Sequence, residues 1–378
     1  MKKVLTLVLG GGEGKRLHPL TLTKCKPALT VCGKFRLIDF PLASAIHSGC
    51  QKIYVLTQFL ATSLHVHLQK TYSQIEILPC EQKPTTKEWY QGTADAVRHH
   101  LEYLCEKPFD YFLILSGDQL YQMDFNKLLE QALTKDADCV IASLVVDKTL
   151  AERMGVLEVN AEGQIIAFQE KQKQTRNGPF LCSMGIYLFR RKTLIEALSK
   201  YPGHDFGRDL IPLLIQEAKC FSYPFDGYWE DIGTIESFYH ANLRFLDLTP
   251  PFDLHTGRLF SPPVSLPAPK ITQTHIRQSI LGEGSYIEAK SISHSLVGPL
   301  TRIGAHTEID SSYILGSTPI GTHCCIHKTI IDENVTLGDH VHLLNTQNLT
   351  HYDSPQALIR DGIIIIPRGT RLPSNYKL

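Results

Sequence analysis

The sequence has no surplus of charge of either sign. Its 38 lysines and arginines balance 38 aspartates and glutamates. General nucleic-acid and membrane-surface binders carry a basic excess, so the balance argues against both. No apolar run approaches the length that spans a bilayer. Met1-Lys2-Lys3 before the run Val4–Leu9 imitates a signal peptide, but six residues ending in glycines are too short for its apolar core. The ten cysteines form no C-x-x-C pair, and Cys324-Cys325 are merely adjacent. Reduced thiols in a cytosol are the expectation, without a thiol-metal or redox site. Two common nucleotide motifs are missing as well. Gly12-Glu13-Gly14-Lys15-Arg16-Leu17 ends in Leu where a dinucleotide fingerprint needs Gly. A P-loop needs Ser or Thr after its Gly-Lys and a further Gly upstream, where Arg16 and Leu9 stand.

What is present is a local concentration of charge. The first thirty-six residues hold Lys2, Lys3, Lys15, Arg16, Lys24, Lys26, Lys34 and Arg36 against the single acid Glu13. Within them, Val4–Leu9 runs into Gly10-Gly11-Gly12-Glu13-Gly14. Glycines allow close backbone approach and a nest of N–H groups, and cations beside such a nest neutralise phosphate oxygens. The stretch reads as a polyphosphate cradle at the carboxyl end of a first buried strand.

From Lys3 to about Leu248 apolar runs alternate with amphipathic stretches. Strands are predicted at Val4–Leu9, Lys52–Thr57, Ile75–Leu78, Tyr111–Leu115 and Cys139–Val146. Helices are predicted at Leu60–Tyr72, Thr93–Cys105 and Phe125–Asp136. This is the rhythm of an α/β domain with a mostly parallel sheet. Gly155–Val159, Gln164–Glu170, Cys182–Phe189 and Phe221–Phe225 read as a mixed extension of that sheet, with helices at Asp205–Ala218 and Ile235–Phe245. Six prolines fall between Thr249 and Pro269, which suits an extended connector.

After Lys270 the period becomes six. Val297, Ile303, Ile309 and Leu315 follow it, as do Leu281 and Ile287, Ile320 and Ile326, and Ile331, Leu337 and Leu343. One inward aliphatic per six residues is the hexapeptide signature of a parallel β-helix. The expected domains are therefore 1–248, a proline-rich linker 249–269, and a coil 270–378.

Candidate chemistry sits at strand ends. Ser116-Gly117-Asp118 follows a buried strand, where a carboxylate near the glycine cradle can hold Mg²⁺, or simply occupy a turn. Asp231, in Tyr228-Trp229-Glu230-Asp231-Ile232-Gly233-Thr234, is the second carboxylate candidate; its other reading is a cap on the helix beginning near Thr234. Gly92-Thr93-Ala94-Asp95 opens a helix with small residues that allow a flat base to lie against backbone. Lys171, after Glu170, can reach a sugar phosphate, or be one half of a solvated ion pair.

Together these residues resemble the glucose-1-phosphate adenylyltransferases, also called ADP-glucose pyrophosphorylases, of bacterial type. The matching pieces are Gly10–Leu17 with Pro19-Leu20-Thr21, Lys26-Pro27-Ala28, Gly33–Phe40, Lys52–Gln58, Trp89–Val97, Ser116-Gly117-Asp118, Ser183–Tyr187, Asp205-Phe206-Gly207 and Tyr228–Thr234. The resemblance spans nearly the whole chain. It implies a Rossmann-like nucleotidyltransferase domain with a mostly parallel mixed sheet, followed by a left-handed parallel β-helix. It also implies a reaction: ATP and α-D-glucose 1-phosphate give ADP-glucose and pyrophosphate, for glycogen synthesis. By the same resemblance Arg16 and Lys26 contact the ATP phosphates, Gly11 and Gly12 give backbone contacts, and Gln82 and Gly92 read adenine. Asp118 and Asp231 hold Mg²⁺. Tyr90, Gly155, Glu170, Lys171, Ser183 and Asp205 bind glucose 1-phosphate. The family further implies a cytoplasmic allosteric homotetramer, with anion sites between the basic N-terminal stretch and the β-helix.

The chain departs from the family pattern at Lys15, usually Thr or Ser, at Lys24, usually Arg, and at Gln172, usually Pro. It is shorter at the extreme N-terminus and around Gly316–Ile320. Three other readings stand beside this one: a related sugar-1-phosphate nucleotidyltransferase using another nucleotide, a catalytically inactive regulatory subunit, and a hexapeptide acyltransferase. The acyltransferase lacks a convincing catalytic histidine, since His275, His294, His306, His323, His327, His340 and His342 read as surface residues.

Overall fold

The computed structural model describes residues 3–82, 88–254, 256–263 and 265–378. Met1 and Lys2, the latter counted above among the basic residues, lie outside these. The chain forms two compact units. One comprises Met1–Gly12, Phe40–Ala61 and Tyr72–Trp229; the other comprises Glu13–Asp39, Thr62–Thr71 and Glu230–Leu378. The division differs from the one composition suggests, because the basic segment after the glycines groups with the coil.

The first unit is built on a nine-stranded mixed sheet. Val4–Gly10 lies at its centre, parallel to Lys52–Thr57 on one side and to Tyr111–Ser116 on the other. Ile75–Pro79 continues the parallel set beyond Lys52–Thr57. On the far side Phe180–Arg190 runs antiparallel to Tyr111–Ser116 and to Cys139–Val146. Cys220–Pro224 is parallel to Cys139–Val146, and Gly155–Val159 pairs antiparallel with Ile165–Glu170. The central strands are continuous apolar runs because both faces are covered: Leu5, Leu7 and Val8 are fully buried.

The helices are shorter than their sequence patterns. The stretch expected as Thr93–Cys105 is two helices, Thr93–His99 and Leu101–Cys105, separated by His100 with φ −104° and ψ 7°. Asp205–Ala218 is a π turn, Phe206–Leu210, followed by Ile211–Leu214. Among the described residues three α-helices were not expected, one of them the single turn Lys148–Ala151 capped by Asp147. Asp39–His47 is buried along most of its length, so it shows no polar face to give it away. Arg191–Lys200 follows its strand directly, without a turn signal between them.

In the second unit the coil has three parallel sheets, one per face. Its period corrects the expectation. Val297 stacks on Ile314, Ile303 on Ile320 and Ile309 on Ile326, each seventeen residues on. In these coils one face uses five residues rather than six; in the first coil Leu281 stacks on Val297 sixteen residues on, so two faces do. The inward aliphatic after Ile309 is Ile314, and Leu315 lines a cavity instead. Corners pass through left-handed residues at the same repeat: Leu300, Ser317 and Asn334; His294, Ser311 and Lys328; His306, His323 and His340. The last set forms a column of stacked imidazoles, 4.7 and 4.9 Å between centroids. A hairpin, His351–Asp353 with Leu358–Arg360, is inserted before the strand Ile363–Ile366 returns to the stack.

Candidate active site

In the first unit, Gly10 leaves the central strand beside Thr57, and Leu9 beside Ser116. The amide of Gly117 donates to the Leu9 carbonyl at 2.9 Å. The glycine run and the Ser116-Gly117-Asp118 turn thus emerge from adjacent parallel strands at their carboxyl ends, the usual ligand position of such sheets. Asp118 is half-buried and accepts a hydrogen bond from the Ser116 hydroxyl. Behind it Gln119 is buried, donating to the Met184 carbonyl at 2.8 Å and accepting from the Trp229 indole at 3.2 Å.

Gly11 lies against Gln58, where a β-carbon would come within 3.3 Å of Gln58 Cβ. Gln58 accepts from the Tyr90 amide at 2.8 Å, and the Tyr90 hydroxyl is hydrogen-bonded to His100 Nε2 at 2.5 Å. Burial, followed by the nearby Cys80 and Glu81, pushes the Tyr90 phenol above its ordinary range, so it stays protonated. The break in the helix at His100 and the seating of Tyr90 are one arrangement. Gly92 is also small for a structural reason. A β-carbon there would stand 2.4 Å from the His204 carbonyl oxygen, which accepts from the amides of Ala94 and Asp95. Gln82 is exposed, next to residues 83–87, which lie outside the described set.

A second group surrounds Glu170. Its Oε2 occupies the space in front of Gly155 and Gly207, where β-carbons would come within 2.8 and 2.7 Å. A β-carbon at Gly207 would meet this carboxylate first, and one at Gly155 would meet the Phe168 ring as well as the carboxylate. Lys171 Nζ is 3.2 Å from Glu170 Oε1, with its side chain two-thirds exposed. Ser183 is buried and accepts from the Gly185 amide. Asp205 caps the Phe206–Leu210 turn, accepting from the amides of Gly207 and Arg208, and also accepts from the Thr93 hydroxyl. Tyr187 packs beside the group, its ring against Phe189 and Phe206. Its phenol is raised by burial, lowered by a hydrogen bond to Ser183, and raised again by the charges of Glu170 and Asp205.

The second unit has its own cluster. Lys26 is buried, and its ammonium lies 3.3 Å from Asp231 Oδ1. A β-carbon at Gly233 would be 3.3 Å from Asp231 Oδ2 and 3.4 Å from an Arg16 guanidinium nitrogen, so Arg16, Lys26 and Asp231 meet at one place. Lys15 turns away to an exposed pair with Glu13. Asp231 does not cap the following helix. Thr234 does, reciprocally with Ser237. Beside it Glu230 is raised by burial, with Arg244 pulling it down and Asp231 pushing it up.

Among the described residues no three His, Cys, Asp or Glu side chains gather as a metal cage. Mg²⁺ at phosphates asks for less, one or two carboxylates completed by water and substrate oxygens, and the hard oxygens of Asp118 and Asp231 fit that donor set. Sequence reasoning gave no role to Gln58, His100, Tyr187 or Gly207. Gln58 alone had a usable signal, standing just past a buried strand.

Comparison with known families gives two matches. The nucleotidyl transferase family model matches residues 5–247. The model of the GLGC left-handed parallel β-helix domain matches residues 265–319 and 317–376.

Proposed function

Because the chain belongs to the nucleotidyl transferase family and has the two-part architecture of the glucose-1-phosphate adenylyltransferases, we propose that it joins ATP and α-D-glucose 1-phosphate into ADP-glucose and pyrophosphate. Its membership makes it a sugar-1-phosphate nucleotidyltransferase. The choice of adenine and glucose is the proposal.

The observation that carries it is the placement of the glycine run beside the Asp118 turn, at the carboxyl ends of adjacent parallel strands. A triphosphate laid on such glycines is met by backbone N–H groups, and an acid stands within the same sheet end. In the proposed step a phosphate oxygen of glucose 1-phosphate attacks the α-phosphorus of ATP. The new P–O bond forms as the bond to the β-phosphate oxygen breaks, and pyrophosphate carries away the electron pair. No general base is required, because the second pKa of a phosphate monoester is about 6 and the nucleophile is already largely dianionic near neutral pH. Catalysis is then alignment and charge compensation.

Each residue has a corresponding task. Arg16 and Lys26 neutralise the phosphates of ATP. Gly11 and Gly12 let the chain approach them, and Gln82 and Gly92 face the base. Tyr90, Gly155, Glu170, Lys171, Ser183 and Asp205 receive the sugar phosphate, with Glu170 accepting from sugar hydroxyls and Lys171 on the phosphate. Asp118 and Asp231 are the ligands for Mg²⁺, which when bound draws charge from the phosphate oxygens.

The test is Mg²⁺-dependent pyrophosphate release by the purified chain with glucose 1-phosphate and each of ATP, UTP and GTP. ATP is expected to be preferred. A preference for UTP or GTP would move the assignment to another nucleotide, and no release with any of them would favour a regulatory subunit.

A further inference from the structure

Glu333 lies on the coil, just past the strand Thr329–Ile331, and touches the segment that carries Lys26. Its Oε1 is 2.9 Å from Lys24 Nζ, 3.2 Å from the Thr30 hydroxyl and 3.5 Å from Arg36 Nη1. Its Oε2 is 3.4 Å from Arg368 Nη1. The Lys24 side chain is 3% exposed. An ammonium so deeply buried is tolerated only beside an anion, and Glu333 is in contact with it. Burial pushes the Glu333 carboxyl up, but Lys24, Arg36 and Arg368 outweigh it and hold the group below its ordinary value.

The consequence reaches Lys26 from two sides. Lys24 stands two residues before it. Arg36 donates to the Ala28 carbonyl at 3.1 Å and to the Thr30 hydroxyl, and Lys26–Ala28 is a single 3-10 turn. Glu333 therefore grips both flanks of the turn that aims Lys26 at Asp231. Other contacts hold the neighbouring hairpin by its backbone: the Cys32 amide donates to Asn242 at 2.8 Å and the Gly33 amide to the Tyr313 hydroxyl at 3.2 Å. They carry no charge.

We propose that Glu333 is a positioning residue for nucleotidyl transfer, a built-in anion on the coil that fixes Lys24 and Arg36 and through them the ammonium of Lys26. This rests on the reading of Lys26 as a phosphate-binding cation. Glu333 and Arg36 also line a cavity of about 580 Å³. Truncating Glu333 leaves three cations facing space that a small anion can enter.

That space supplies the experiment. In the purified full chain, Glu333→Ala is expected to raise the KM for ATP about tenfold and to lower kcat, leaving the KM for glucose 1-phosphate within about twofold. Sodium formate, compared with chloride at constant ionic strength, is expected to restore most of the loss. Glu333→Gln is expected to show the same KM split without formate rescue, because its amide fills the space. Should Glu333→Ala not fold, the KM split of Glu333→Gln decides. Wild-type constants in a folded Glu333→Ala would overturn the role of Glu333. So would a loss that formate leaves unmoved, or equal losses for both substrates. A wild-type chain without turnover would instead overturn the reaction itself, whatever the variants do.

Discussion

The ammonium of Lys26 lies 3.3 Å from the carboxylate of Asp231, across 205 residues of sequence. The two sides differ in access. The lysine side chain is 10% exposed and the aspartate 42%. A buried lysine has few rotamers left to lose, so under the proposed function a phosphate oxygen would meet a cation that is already aimed.

Lys26→Ala is therefore expected to cost activity far more than stability. Asp231 is 42% exposed and keeps solvent, with the Arg16 guanidinium nearby across Gly233, so loss of the ion pair should shift unfolding by no more than about 1 kcal/mol. Turnover should fall by about 10²–10³-fold, the scale of removing one aimed charge from a transition state. Steady-state pyrophosphate release and a urea melt check both halves. A large stability loss with modest kinetic change would return Lys26 to a structural role.

Asp118→Asn separates charge from shape. The Ser116 hydroxyl can still donate to the amide oxygen, so the turn between its strands should survive. Near-wild-type melting with turnover reduced about a hundredfold or more is expected if the carboxylate is a metal ligand. The Mg²⁺ concentration for half-maximal rate should rise as well. Near-normal activity would remove Asp118 from the metal site.

How much of this the chain discloses in advance depends on the range of the signal. The central strands were legible because apolar runs such as Val4–Leu9 and Tyr111–Leu115 need both faces covered, whatever lies elsewhere. The coil was legible from its spaced aliphatics, although the five-residue face that makes Ile314 the inward residue was hidden by the apolar neighbour Leu315. Helix Asp39–His47 was not legible, since a helix buried nearly all round has no period to detect. The resemblance named Gly155 and Glu170, but that Gly155 and Gly207 both face the Glu170 carboxylate was beyond reach, because only folding brings these distant segments together. The family resemblance supplied the roles of Arg16, Lys26 and Asp231, and spacing alone gave no hint that they meet.

Lys171→Ala tests the sugar-phosphate group. The side chain is 66% exposed, and among the described residues its ion-pair partner is the adjacent Glu170. Stability should hardly change. The expected effect is about a tenfold rise in the KM for glucose 1-phosphate with kcat nearly preserved, the pattern of lost uniform binding. An unchanged KM would refute the assignment.

Asp209 gives a pH prediction with a definite sign. Its carboxylate accepts from the amides of His204 and Asp205 at 2.9 Å each, and from Arg208 Nε at 3.0 Å. Arg208 first, then the Asp205 amide, hold its pKa down to about 2 against the opposing effect of burial, with the His204 amide adding to them. The unfolded value is about 3.9. Between these limits the unfolded chain binds more protons, so the stability this group contributes is present above about pH 4 and is lost as pH falls through 2. Asp209→Asn should be less stable than wild type by about 1 kcal/mol at pH 6, because the pair with Arg208 is partly solvated. The gap should narrow at pH 3 as wild type begins to lose the same contribution. Urea melts of both proteins at the two pH values measure it, and a gap that stays constant or widens on acidification would show that the Asp209 charge does not hold the His204–Asp205 loop.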